Sequence, residues 1–330
     1  MENLHLLELD LLIWMQSMGD WLYYPMRAFS FLGDENFFIF GLALLYWGIH
    51  SRLGLRIAIV LVLSISINTF FKVFFAYPRP FWVDSRIKAL TTETSFGFPS
   101  GHAQNSTAIW GLGSRTVQRK PFTILVIILV AFIGISRLYL GVHFFSDVIG
   151  GWLLGLALLL AFIRLEPALS RWIMTRNRSQ KLLLVLGSGL FLLALMSIPY
   201  AFQLQWQIPQ TWLDTSQKSA AGYSPDPLSM ETPFTLVGVW LGMLGGAAWF
   251  THQFGEFKAN GAIQTRLLRC LIGVIGLLVL RFGLGAIFPH NEDIVGLLFR
   301  LLRYALLGFW VSAAGPWVFG WLKITSPSTR

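Results

Sequence analysis

Long apolar runs separated by short polar turns dominate the chain. A first run occupies 37–47 with its flanks, and a second occupies 57–75. The second is rich in β-branched residues but too long for a strand, so both are expected to be helices at membrane depth. The stretch 77–99 is polar and carries prolines at 78, 80 and 99, which predicts that helix does not persist there. Residues 101–118 are less apolar, yet eighteen residues give roughly 27 Å of helix, about enough to cross a hydrocarbon core. Gln104, Asn105, Ser106 and Thr107 predict that this span lies inside the bundle, away from lipid.

Six further runs follow, at 122–136, 144–163, 182–199, 234–250, 268–288 and 297–321. The predicted fold class is therefore all-α, a polytopic transmembrane helix bundle of about nine spans. Residues 6–18 are apolar but interrupted by acids, the pattern of an interfacial helix rather than a span. The expected organisation is a transmembrane core in 1–165, including that interfacial helix, and additional transmembrane helices in 166–330 with a polar outside loop at 200–233. Gly238, Gly242 and Gly246 recur every fourth residue. They present a face that another helix, from this chain or from a second copy in a homodimer, can approach closely.

Composition agrees with this reading. Of the 330 residues, 55% are hydrophobic and 12% charged, with a mean hydropathy of +0.62. A soluble protein of this length could not hide that much apolar surface. The net charge of +9 does not signal nucleic acid, because the basic residues sit in turns between apolar runs. Turns near 52, 117, 171 and 258 are basic, whereas 1–35, 200–233 and 289–296 are neutral to acidic. The positive-inside rule then places the basic turns in the cytoplasm. The N-terminus (Glu2, Glu8, Asp10) is expected outside and the C-terminus (Lys323, Arg330) inside. No basic stretch precedes the first apolar run, so no cleavable signal peptide is expected. Cys270 is the only cysteine and lies in an apolar run, which excludes an intrachain disulfide and points to a core thiol.

Three polar clusters stand out against this background, because polar groups at membrane depth are costly unless they act. The first is Lys72, then six residues, then Arg79-Pro80; the second is Pro99-Ser100-Gly101-His102. The third is Ser136-Arg137, followed by His143 and Asp147. The charge-derived topology puts all three at the same non-cytoplasmic face. Lys72, Arg79 and Arg137 supply cations, and guanidinium forks match phosphate oxygens. Pro99-Ser100-Gly101 reads as a helix start with Ser100 as N-cap, its free amides aimed at an anion and Gly101 allowing close approach. His143 and Asp147, four apart, share a helical face, so the carboxylate can hold one ring nitrogen and leave the other free to attack. His102 then fits a general acid. Singly, each has an ordinary structural explanation: a snorkelling lysine, an interior histidine, a buried polar pair. Together on one face they point to a phosphate site. No carboxylate cluster suits magnesium, so neither metal nor other cofactor is expected.

The segments KVFFAYPRP (72–80), PSGH (99–102) and SRLYLGVHFFSD (136–147) resemble the three-part signature of the type 2 phosphatidic acid phosphatase (PAP2) superfamily, with no departure at a signature position. The resemblance covers about residues 1–165 and implies a metal-independent phosphatase. Lys72, Arg79, Ser100, Gly101 and Arg137 would hold the phosphate, and His102 would protonate the leaving group. His143 would form a phosphohistidine, steadied by Asp147. Some relatives hold vanadate in this pocket as haloperoxidases. Nine spans with an outside N-terminus is similar in topology to the glucose-6-phosphatases, a membrane branch of the superfamily.

The expected substrate is a lipid phosphate or diphosphate of the phosphatidic acid, phosphatidylglycerophosphate or undecaprenyl diphosphate type, because the pocket opens at membrane depth. The expected location is a bacterial inner membrane, with the site facing the periplasm or outside. A soluble sugar phosphate is the alternative substrate. A transporter or lipid-handling module is the alternative class, with Arg281, Arg300 and Arg303 lining a polar groove rather than snorkelling to the outer interface.

Overall fold

The structure, a computed structural model, describes residues 2–325, with side chains from Leu7 onward. The Glu2 side chain and Arg330, used above for orientation, lie outside the described residues. Every regular element described is helical. The α-helices, in chain order, are α1 (Glu2–Ser17), α2 (Tyr23–Phe31), α3 (Glu35–Leu44), α4 (Ser51–Phe75), α5 (Pro80–Val83) and α6 (Gly101–Val117). Then come α7 (Lys120–Tyr139), α8 (Phe145–Met174), α9 (Arg178–Phe202) and α10 (Gln210–Ser219). The last four are α11 (Glu231–Phe254), α12 (Ile263–Ile287), α13 (Ile294–Phe309) and α14 (Gly315–Trp321).

Among the described residues, 7 stretches are long and apolar enough to cross a membrane, or 8 if the bent pair Asp20–Phe31 and Glu35–Ile49 is one span. The chain is a multi-pass membrane protein. The count falls short of the nine expected because α6, with 17 residues, does not reach the length of the others. Its polar side chains are accounted for by burial rather than by contact with lipid. Gln104, Asn105 and Ser106 are all buried, and Asn68 of α4 donates to Gln104 Oε1 at 2.9 Å. Local signals fix several ends. Pro121 sits in the first turn of α7, where its missing N–H costs nothing. The Asp293 carboxylate accepts from the Gly296 amide at 2.8 Å and caps α13.

The chain divides into two compact units, each assembled from separated stretches. The first comprises Met1–Phe37, Ile67–Ile163 and Ser197–Leu228. Its core joins Leu9 and Leu12 of α1, Phe81 and Trp82 of α5, Ile87 and Phe96, and Tyr139, Leu140, Val142 and Phe144 where α7 turns into α8. Glu8 accepts from the Ser146 amide and hydroxyl at 2.7 and 3.2 Å, satisfying a donor that the start of α8 leaves free. Thus an acid that interrupts the apolar pattern of α1 holds the helix that carries Asp147. Tyr223, from the polar loop after α9, completes this core, with Trp206 and Trp212 packed against it.

The second unit comprises Phe38–Ser66, Arg164–Met196 and Ser229–Arg330. Its core gathers Tyr46, Trp47, Phe250, Phe257, Leu277, Leu307 and Phe319. The glycine face of α11 is filled here: a Cβ on Gly238 or Gly242 would strike the backbone of Leu301 or Ala305 of α13, and one on Gly246 would strike the Ser312 hydroxyl. That close approach leaves no room for a helix of a second copy, so the homodimer surface expected from these glycines is replaced by packing within the chain. Buried Arg269 donates to the carbonyls of Lys258, Ala259 and Asn260 at 3.1, 2.7 and 2.8 Å, closing the turn before α12. Cys270 is half-buried, its thiol 3.8 Å from the Leu44 carbonyl.

Candidate active site

All three polar clusters meet within the first unit, and local backbone geometry explains how. α4 ends at Phe75, and Arg79 stands at the N-cap of α5 in extended conformation, with Pro80 opening that short helix. The 84–98 segment then returns across this corner. A Cβ on Gly97 would lie 2.7 Å from the Pro78 carbonyl oxygen and 3.2 Å from Asp147 Oδ2, so only glycine lets these backbones pass. The Ser100 amide donates to the Asp147 carbonyl at 2.9 Å, tying the start of α6 to the start of α8.

His143 is at the centre of the cluster. Its Nδ1 is 3.2 Å from Asp147 Oδ2, and its Nε2 is 3.2 Å from Arg79 Nη1. A carboxylate can only accept from Nδ1 and a guanidinium can only donate to Nε2, so one neutral tautomer satisfies both contacts. Asp147 Oδ2 also accepts the Phe144 amide at 2.9 Å, which fixes the carboxylate. Burial holds the His143 imidazole well below its usual range, and Arg79, Arg137 and Lys72 push it the same way. The ring is therefore neutral, with its Nε2 lone pair directed at a cation.

Arg79 is fully buried and has four bonds. Nε donates to Ser95 O at 2.6 Å, Nη1 to Val142 O at 2.9 Å and to His143 Nε2, and Nη2 to Ser95 Oγ at 3.1 Å. Lys72 Nζ donates to the same Ser95 hydroxyl at 2.7 Å. Arg137 donates to Ser30 Oγ at 2.6 Å and to Glu93 Oε1 at 2.5 Å. Ser30, Glu93 and Ser95 were not anticipated; the signal available was the polar run Thr91-Thr92-Glu93-Thr94-Ser95 on the same side of the chain as the three clusters. The loop at 200–233 also enters: the Tyr223 hydroxyl donates to the Glu93 carbonyl, and the Asp226 amide donates to Thr94 O at 3.1 Å.

Ser100 occupies the N-cap position of α6, but its side chain makes no capping bond. Among the described residues its hydroxyl is buried without a partner, which corrects the expected capping role and leaves a donor unspent in the site. A Cβ on Gly101 would come 3.3 Å from Asn68 Oδ1, tighter than ordinary contact. His102 is the second residue of α6, its Nε2 3.9 Å from Asp34 Oδ2 at the turn between α2 and α3. The three cations, both histidines, Asp147, Ser100 and Gly101 thus converge on one locality.

Glu93 is the anion that the cations hold in this state. Burial raises its carboxyl, but Arg137, then Arg79, His102 and Lys72, outweigh that and hold it at about 2, below the usual 4.5. A depressed folded pKa stabilises fully above the unfolded value, and the contribution is lost as pH falls through the folded one. The Glu93 pairing should therefore act fully above pH 4.5 and fade between 4.5 and about 2. Melting in detergent, followed from about pH 6 to about pH 3, should fall more steeply for the wild type than for Glu93→Gln. Parallel curves would remove this role for Glu93.

Comparison with known proteins places the site in context. The sequence profile of the "PAP2 superfamily" matches residues 53–171, and that of the "PAP2 superfamily phosphatase, transmembrane extension" matches residues 234–327. The mouse (Mus musculus) protein sphingosine-1-phosphate phosphatase 2 is 34% identical over 143 residues, which span 40% of this chain and 39% of that one. Phosphatidylglycerophosphatase B of Bacillus subtilis (strain 168) is 41% identical over 78 residues, 21% of this chain and 38% of its own length. Mouse glucose-6-phosphatase 3 is 26% identical over 327 residues, 88% of this chain and 87% of that one. Among solved structures, the transmembrane PAP2 type phosphatidylglycerolphosphate phosphatase from Bacillus subtilis matches at a TM-score of 0.40 and 26% identity, over 48% of this chain and 86% of that one.

Proposed function

The chain belongs to the PAP2 superfamily, and from that premise we propose that it is a membrane phosphatase that hydrolyses a lipid phosphate or diphosphate through a phosphohistidine on His143. The observation that carries this reading is a neutral His143 held between Asp147 and Arg79, 3.2 Å from each. In the reaction, Arg79 and Arg137 exchange their present partners for phosphate oxygens, joined by Lys72, the Ser100 hydroxyl and the amides at the start of α6. Once Arg79 turns to the phosphate, the Nε2 lone pair attacks phosphorus. The bond to the leaving oxygen breaks, and His102 gives that oxygen a proton. Asp147 holds the Nδ1 proton throughout and stabilises the charged ring. Water then attacks the phosphohistidine, losing its proton to His102, and inorganic phosphate departs. Three side-chain cations supply the charge that a metal provides elsewhere.

One observation favours a lipid: relatives that match the segment bearing the site are named for lipid phosphates. An apolar cleft of about 1080 Å³ between α6, α7 and α8 extends to the other end of these helices, beside Arg115 and Lys120, and holds no residue of the site. The site is assigned to the periplasmic or outer face, with the N-terminus on that side. The second reading, a soluble sugar phosphate, is favoured by the end-to-end match to a protein named for glucose 6-phosphate.

Phosphate release by purified protein from phosphatidic acid, phosphatidylglycerophosphate, undecaprenyl diphosphate and glucose 6-phosphate separates the readings. The expected result is a kcat/KM at least about tenfold higher on a lipid, unchanged by chelator. Faster release from glucose 6-phosphate would transfer the assignment to the second reading. Release from none of the four would end both.

A further inference from the structure

The second unit contains two arginines that this chemistry does not use. Arg281 of α12 and Arg303 of α13 line a cavity of about 300 Å³ together with Phe282, Gly285, His290 and Tyr304. Among the described residues, neither arginine has an acidic partner, whereas the neighbouring Arg300 has two polar ones. Arg300 pairs with Glu231 at 2.6 Å and donates to the Thr235 hydroxyl at 2.9 Å. Arg303 instead lies with its guanidinium 5.3 Å over the Tyr304 ring. A Cβ on Gly285 would stand in ordinary contact, 3.7 Å, with Arg303 Nη1, so the guanidinium lies close to the α12 backbone. His290 Nε2 meets the Gly285 carbonyl at 2.5 Å, which places an imidazole at the rim.

Both arginines belong to stretches long and apolar enough to cross a membrane. A cation at such a place is costly unless an anion joins it, and the described residues supply none. Two planar guanidinium forks suit the tetrahedral oxygens of a phosphate. The surroundings indicate what that phosphate is attached to: Val279, Phe282 and Ile287 are 64%, 68% and 77% exposed, an apolar surface fit for acyl chains. We propose that this cavity binds the phosphate group of an anionic phospholipid, at a site that shares no residue with the His143 cluster.

The test is binding of phosphatidylglycerol to the full chain in a neutral detergent, read by native mass spectrometry. This lipid is a phosphodiester with no phosphomonoester to remove, so retention is read apart from turnover, whatever the enzyme's substrate. Phosphatidylcholine and inorganic phosphate are the comparison ligands. The expected result is retention of phosphatidylglycerol over phosphatidylcholine, weakened at least about tenfold by Arg281→Gln or Arg303→Gln. The Arg281→Lys and Arg303→Lys pair, which keeps the charge but loses the forks, should retain part of the binding and serves if a glutamine variant does not fold. Equal retention of both lipids, or unchanged binding in the double glutamine variant, would overturn the proposal. Inorganic phosphate binding as tightly as phosphatidylglycerol would overturn the lipid assignment.

Discussion

His143→Ala should lower kcat/KM for phosphate release by roughly 10⁴-fold or more, the scale of losing a nucleophile. No neighbour can substitute. Asp147 is spent on the Phe144 amide and the ring, and His102 lies against Asp34 at 3.9 Å rather than beside Asp147. The fold should survive, because every partner of the lost ring keeps another bond. Asp147 retains the Phe144 amide at 2.9 Å, and Arg79 retains Val142 O and both Ser95 oxygens. Helical circular dichroism and a melting curve would establish that the variant is intact. Labelling supplies the second readout: wild-type protein quenched during turnover of ³²P-labelled substrate should carry label that is stable to alkali and lost in acid, as a phosphoramidate is. The variant should carry none. Full activity in His143→Ala, or label with the stability of an acyl phosphate, would remove His143 from the nucleophile's place.

The apolar runs were legible because a membrane imposes a length on any helix that crosses it: the run at 122–136 falls inside a helix of that length, and that at 268–288 does so up to Ile287. α6 was harder, since its 17 residues trade apolar surface for Gln104, whose amide pairs only once α4 is beside it, and for hydroxyls such as Ser106 and Thr107 that bond back to their own helix. Lys72, Arg79, Arg137, His143 and Asp147 could be singled out because each is a charged or titratable group close to apolar sequence, and His102 because it follows the helix start Pro99-Ser100-Gly101. Glu93 and Ser95 could not, because they sit in an irregular polar stretch where many residues are polar and only tertiary contact selects two. The same holds for Glu8, which reads as a defect in an apolar helix until Ser146 is brought against it. The glycines of α11 announced a close helix, but their spacing carries no information on whether that helix comes from the same chain; α13 answers that. Ser100 was placed at the right turn but with the wrong bond, since capping and phosphate binding call on the same hydroxyl.

Arg79→Lys is the sharper test of how the cations work, and it should cost about 10²- to 10³-fold in kcat/KM, the scale of removing a preorganised donor from a transition state. If positive charge alone held the phosphate, a lysine at this position would suffice and the loss would stay within about tenfold. The geometry argues otherwise. Three nitrogens of Arg79 reach four acceptors in different directions: Ser95 O at 2.6 Å, Ser95 Oγ at 3.1 Å, Val142 O at 2.9 Å and His143 Nε2 at 3.2 Å. A single ammonium nitrogen, with a shorter overall reach, cannot span them. The Ser95 and Val142 carbonyls then lose their donors in a site with no water exposure at Arg79, and the 84–98 segment loses its clamp. His143 loses the cation that faces its attacking nitrogen, so ring and phosphate are no longer aligned by one group. Lys72→Arg offers the reciprocal case, because among the described residues Lys72 makes a single bond, to Ser95 Oγ at 2.7 Å, and a guanidinium there preserves charge and donor. Its loss should be smaller than that of Arg79→Lys. Steady-state kinetics on the preferred substrate, with melting curves for both variants, decide the matter: equal and small losses would mean that charge, not the guanidinium fork, governs phosphate capture.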